Sequence, residues 1–225
     1  MNAQNINDMD AIALSLEDFN SKLADEYLVV DTRAAGDFTA GFIPGSVFIG
    51  RQGKFIDWML TLIPLDQPLV LIIDAGAEDA VLEDLVKAGY SKVAGYLAGG
   101  YSTWKNASQP IDIIIDIESD EMAMDLSFDN RIQVVDVREP NEFVAGHVKN
   151  ALNLPLSDMA DIAQIAGFDE DQSLYIHCAG GYRSVIAASL LKRQGFHDLR
   201  NIVGGYKAIS QEPKITIEKD TTPLN

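Results

Sequence analysis

The chain has 225 residues, 47% of them apolar and 8% aromatic, which is enough to build a packed core and excludes wholesale disorder. Its 34 acidic residues against 17 basic ones give a formal charge of −17, which disfavours nucleic acid and anionic membranes and obliges any anion site to carry its own local field. The single cysteine, Cys178, excludes an internal disulfide and any multi-thiolate metal centre.

The opening MNAQNINDMD is polar and acidic, unlike a signal peptide, and no apolar run reaches the roughly 18 residues of a membrane span. A cytoplasmic location is therefore expected. His147, His177 and His197 lack metal-ligand spacing, so neither a metal nor a cofactor is expected.

In chain order, residues 1–10 read as a tail. YLVVD (27–31) and LVLII (69–73) are aliphatic runs of the kind that form doubly covered strands, and AEDAVLEDLVKA (77–88) reads as a helix closed by Gly89. Asn, Ser and Pro cluster at Asn106–Pro110, which predicts a first domain over 11–108 and a linker over 109–117. The pattern then returns. IQVVDV (132–137) and SLYIHC (173–178) read as strands, and SVIAASLLKRQ (184–194) as a helix with Lys192 and Arg193 in its last turn and Gly195 as the stop. The second domain should cover 118–212, followed by a tail over 213–225. Each domain is expected to be α/β, with a mainly parallel central sheet and helices on both faces.

The two halves also share sequence. VVDTR (29–33) returns as VVDVR (134–138), an offset of 105 residues, and two further blocks keep that register. DFTAGFIPGS (37–46) matches EFVAGHVKNA (142–151), and AGGYSTW (98–104) matches VGGYKAI (203–209). Three separated blocks in one register indicate a tandem repeat.

Cys178 falls at the carboxyl end of a predicted strand, where ligands sit in such sheets. The segment HCAGGYRS (177–184) continues through a glycine loop into a helix, and a helix N-terminus offers free N–H groups and partial positive charge to an anion. Gly180 and Gly181 permit the curl required. Such surroundings lower a thiol's pKa from about 8.5 to roughly 3.5–7.5. Arg183 adds a fixed charge and a fork suited to an oxyanion. A buried structural cysteine is the competing reading.

These residues resemble the rhodanese family over nearly the whole chain, as a tandem pair. The motifs are VVDVREPNEFVAGHVKNALNLP (134–155), CAGGYRS (178–184) and GGY (204–206). The form CAGGYRS behind a first copy without cysteine looks most like the rhodanese region attached to metallo-β-lactamase-fold persulfide dioxygenases, although no metallo-hydrolase motif is present here. The resemblance implies a sulfurtransferase with Cys178 as the sulfur-carrying nucleophile and Arg183 beside it. Ala179, Gly180, Gly181, Tyr182 and Ser184 would bind substrate, with Asp136, Arg138 and His147 in support. Its partners would be a small anionic donor, thiosulfate or a persulfide, a thiol or cyanide acceptor, and a persulfide dioxygenase or another sulfur-metabolism protein. A non-catalytic sensing or scaffolding module is the alternative. A phosphatase or arsenate reductase of the same fold is a further one, set against a loop of four residues between Cys178 and Arg183 rather than five.

Asp136 and Arg138 recur as Asp31 and Arg33 in the copy lacking a cysteine, which favours an ion pair over a chemical role for them. His147 reads as a hydrogen-bonded core histidine, and His177 should face away from the nucleophile, because adjacent strand residues point to opposite sides. In the first copy the loop position reads IIDAGAEDAV (72–81). There Asp74, Glu78 and Asp79 are expected to cap the free N–H groups and repel an anion.

Overall fold

In a computed structural model that describes residues 12–165, 168 and 172–220, the chain divides into two units, one of residues 12–34 and 42–111, the other of 35–41 and 112–220. The expected tail over 1–10 lies outside the described residues.

The first unit contains β1 (Ala13–Leu14), α1 (Leu16–Ala24) and β2 (Leu28–Asp31). α2 (Ala35–Thr39) belongs to the second unit, and the first resumes with β3 (Val47–Phe48), α3 (Phe55–Leu62), β4 (Leu69–Ile72), α4 (Glu78–Ala88), β5 (Val93–Leu97) and α5 (Gly100–Asn106). Its sheet has the order β1-β5-β4-β2-β3, with every pairing parallel. Every residue of LVVD and LVLI is buried, as expected of central strands covered on both faces. Ser15 caps α1 by accepting from the Asp18 amide at 3.1 Å. Gly89, at φ 99°, closes α4 in the left-handed conformation that glycine adopts without a Cβ penalty.

The second unit repeats the plan with β6 (Ile115–Ile117), α6 (Ser119–Phe128), β7 (Gln133–Asp136), α7 (Pro140–Val144), β8 (His147–Val148) and β9 (Leu152–Asn153). A 3₁₀ turn (Leu156–Ala160) and α8 (Ile162–Ile165) lead to β10 (Leu174–His177), α9 (Tyr182–Arg193), β11 (Leu199–Ile202), α10 (Gly205–Ile209) and β12 (Ile217–Glu218). The parallel sheet order is β6-β11-β10-β7-β9, the same path as in the first unit. Its core gathers Met122, Val134, Tyr175, Ile202 and Ile209.

Three segments differ from their sequence reading. α9 begins at Tyr182 rather than 184, because Gly181 turns at φ 103° and starts the helix at once. Residues 115–117 of the expected linker form an edge strand on β11. In the expected C-terminal tail, Ile215 is buried and β12 pairs antiparallel with β8. The alternating apolar residues Ile215 and Ile217 of that segment pack against the core of the second unit. Among the described residues, no helix is long and apolar enough to cross a membrane.

Candidate active site

Cys178 follows β10 directly and is 2% exposed. The Gly181 N–H donates to its Sγ at 3.1 Å, and Sγ lies 3.6 Å from Oγ of the fully buried Ser184. Ala179 and Gly180 are exposed at the loop's tip, while Gly181, Tyr182 and Arg183 are half-buried. Burial pushes the Tyr182 phenol up from its ordinary pKa. The first turn of α9 carries no acidic residue, so its positive end faces the sulfur without an internal counter-charge.

The loop is backed by the second glycine motif. The amides of Tyr206 and Lys207 donate to the carbonyls of Cys178 (2.7 Å) and Ala179 (3.3 Å). A Cβ on Gly205 would stand 2.4 Å from the Cys178 carbonyl oxygen and 2.9 Å from the Gly180 nitrogen. Only a bare backbone fits there. The recurring GGY is therefore a packing requirement of the cysteine loop, and in the first unit a Cβ on Gly100 would likewise stand 2.8 Å from the Ile73 carbonyl oxygen.

The Arg183 guanidinium, expected to receive an oxyanion, is held in a two-point bridge by Glu142 of α7, at 2.7 and 3.0 Å, so its fork meets a carboxylate in this structure. The Arg183 hydrogen bond keeps the Glu142 carboxyl below its usual range. Glu142 also accepts from the Glu139 amide and completes a capping box on α7.

Asp136 and Arg138 are buried and joined at 2.5 Å. Arg138 also donates to the Gly146 carbonyl and lies 3.8 Å above the Tyr206 ring. The first unit holds the same assembly, with Asp31 and Arg33 at 2.7 Å and Arg33 lying 4.0 Å above Tyr101. Thus the Asp-x-Arg and GGY blocks of the repeat meet in space, the tyrosine of one stacking on the arginine of the other.

His147 is stacked on Phe143 at 3.9 Å, and its Nδ1 lies 3.0 Å from the Phe143 carbonyl oxygen. These contacts hold it to α7 rather than to the cysteine. His177 is fully buried, with Nε2 3.7 Å from Asp136 Oδ2 and without a hydrogen-bond partner. Burial depresses its pKa, partly offset by Asp136. A histidine depressed in the folded state adds stability that is complete above its unfolded value near 6.5 and is lost as pH falls below it. The melting temperature of the wild type should accordingly fall more steeply between pH 6.5 and 5 than that of His177→Leu. Parallel curves would remove His177 as the cause.

In the first unit Ile73 occupies the position of Cys178, and the Gly76 amide, which matches Gly181, donates to the Glu78 carboxylate at 2.6 Å. The N–H that meets sulfur in one unit meets a carboxylate in the other. Beside it opens a cleft of about 500 Å³ lined by Thr32, Arg51, Phe55, Asp74 and Ala77 among others.

The reading by sequence missed Glu142, Gly205, Asn201 and Asp116. The Glu139 to Glu142 spacing of the capping box was a visible signal for Glu142, and the repeated GGY one for Gly205. Neither Asn201 nor Asp116 carried any.

A family model described as the rhodanese-like domain matches residues 15–107 and again 119–212. Among curated proteins, the uncharacterized protein YqhL of Bacillus subtilis is 38% identical over 77 residues, covering 34% of this chain and 60% of that protein. The chain thus spans less than two thirds of that relative's length. The thiosulfate sulfurtransferase GlpE of Pseudomonas aeruginosa is 35% identical over 79 residues, covering 35% of this chain and 70% of that protein. Among solved structures, a rhodanese-like domain protein from Staphylococcus aureus is 30% identical, covering 47% of this chain and all of its own, with a TM-score of 0.42.

Proposed function

The chain belongs to the rhodanese family, and on that premise we propose that it is a sulfurtransferase that carries sulfane sulfur as a persulfide on Cys178. The observation that bears most weight is the direct hydrogen bond from the Gly181 amide to Sγ at the start of a helix free of acidic residues. The Cys178 thiolate attacks the outer sulfur of thiosulfate or a low-molecular-weight persulfide. A new S–S bond forms, the donor's own S–S bond breaks, and sulfite or a thiol leaves with the electron pair. An acceptor such as cyanide or a thiol then takes the outer sulfur and returns the thiolate, with no net oxidation. Loop amides and the positive end of α9 stabilise the anionic sulfur at each stage.

Ala179, Gly180, Gly181 and Tyr182 form the rim and floor of this small cradle, and Ser184 its inner wall. Asp136 and Arg138 hold the end of β7 next to it, while His147 steadies α7. With its fork occupied by Glu142, Arg183 acts mainly as a strap between α9 and α7. That bridge also counts against a phosphatase or arsenate reductase reading, which needs the arginine for a tetrahedral oxyanion. The first unit, with Glu78 on its loop amide, serves a structural or partner-recruiting role. A persulfide dioxygenase is the partner suggested by the form of the CAGGYRS motif.

Steady-state transfer from thiosulfate to cyanide tests this reading. Wild type should form thiocyanate and Cys178→Ser should not, whereas equal rates would overturn it. In the same assay Glu142→Gln leaves the Arg183 charge unbalanced beside the cradle, so the KM for dianionic thiosulfate should fall by about threefold to tenfold, the range for a partly exposed ion pair near a binding site. A rise in KM with unchanged kcat would show that the bridge matters only for holding the arginine in place.

A further inference from the structure

A line of hydrogen bonds leads away from Cys178 through side chains outside the cysteine loop. The Ser184 Oγ that faces Sγ lies 2.7 Å from Oδ1 of Asn201, which is itself buried. The Asn201 amide nitrogen donates to Oδ1 of Asp116 at 2.6 Å. Asn201 and Asp116 stand opposite each other where β11 pairs with β6. The second carboxylate oxygen of Asp116 accepts from Thr39 Oγ1 at 2.6 Å, so both oxygens of the acid are engaged.

The donor inventory fixes the direction of this line. An ionised carboxylate only accepts, so Asn201 must turn its Nδ2 to Asp116 and its Oδ1 to Ser184. Ser184 then commits its single proton to Asn201, and only lone pairs of Oγ face the sulfur. A neutral Cys178 can donate its S–H to those lone pairs. A thiolate meets them as repulsion unless Ser184 rotates, which leaves the buried Asn201 oxygen without its donor. At the positions matching Ser184 and Asn201 the first repeat carries Asp79 and Tyr96, so this line accompanies the cysteine.

We propose that Asn201 and Asp116 are positioning residues that hold the Ser184 proton away from Cys178, so that the resting nucleophile is favoured as a thiol whose proton Ser184 accepts. The proposal rests on the reading of Cys178 as the nucleophile and extends it to what governs that sulfur's ionisation. Among the described residues, the other charged or titratable groups around the loop include Tyr182 in the loop, Tyr206 and Lys207 of α10 behind it, Arg183 bridged to Glu142, Asp136 bridged to Arg138, and His177, which faces Asp136. All of these stay in place when Asn201 is changed.

The test is the pH dependence of Cys178 alkylation by iodoacetamide in the full chain, which needs no sulfur donor and so is independent of whether the chain transfers sulfur. In Asn201→Leu the freed hydroxyl can turn to sulfur, and the pH of half-maximal alkylation should fall by about one unit, a tenfold gain in thiolate at a fixed pH below it. Asp116→Asn, which leaves the Asn201 amide free to flip, should shift it in the same direction while keeping the side-chain volume. Adding Ser184→Ala to Asn201→Leu should return the midpoint towards wild type. An unchanged or higher midpoint in both single variants overturns the proposal, as does a lowered midpoint that survives loss of the serine.

Discussion

Replacing Arg138 with methionine should cost about 3–5 kcal/mol of stability, because it leaves a fully buried carboxylate uncompensated. Asp136 is 0% exposed, and methionine at 138 keeps the backbone N–H bond to it but removes the guanidinium donors Nε and Nη2 and with them the counter-charge. The remaining neighbour, His177, is 3.7 Å away, and burial opposes its protonation. The loss is large against the roughly 5–15 kcal/mol that holds a typical domain together. The same residue also carries the Gly146 carbonyl and the Tyr206 ring, so α7 and the GGY turn should loosen with it. Urea unfolding of Arg138→Met gives the measurement. The double variant Asp136→Leu/Arg138→Met should recover much of the loss, since a buried pair is costly to break and much less costly to remove whole. A single variant as stable as wild type would mean that water already reaches the pair.

The second large effect falls on catalysis. Gly205→Ala should lower the rate of persulfide formation by about a hundredfold, the scale expected of an ångström-sized displacement of reacting groups. The new Cβ would sit 2.4 Å from the Cys178 carbonyl oxygen, an atom of the loop's own backbone that cannot swing aside as a side chain could. The loop must move, and with it the Gly181 amide that meets the sulfur. Gly36→Ala, at an exposed glycine of α2 outside the cysteine loop, is the control. Its added Cβ meets nothing within 4 Å, so the fold should not weaken and the rate should hold. Equal rates for both variants would show that the GGY turn does not set the loop's position.

The fold was legible because its strongest signals are local. LVVD and LVLI announce covered strands by composition alone, and the repeat carries the plan of one unit to the other. The Asp-x-Arg pair was legible as a pair because its partners are two residues apart. Why the GGY block recurs was not, since its tyrosine meets that arginine only after the chain has returned from β7 to α10. The Arg183 to Glu142 bridge spans 41 residues, and the bond from Asn201 to Asp116 spans 85. No periodicity encodes such contacts. The second arises when the edge strand β6, read from sequence as linker, pairs with β11. Cys178 itself was legible for the opposite reason, because strand end, glycine loop and helix start are contiguous in the chain.

Intact mass after incubation with thiosulfate or glutathione persulfide tests the central claim most directly, since Cys178 is the chain's single thiol. Wild type should gain one sulfur atom that cyanide then removes, and Cys178→Ser should gain none. Absence of the adduct on wild type, or its persistence in Cys178→Ser, would contradict sulfur transfer through this residue.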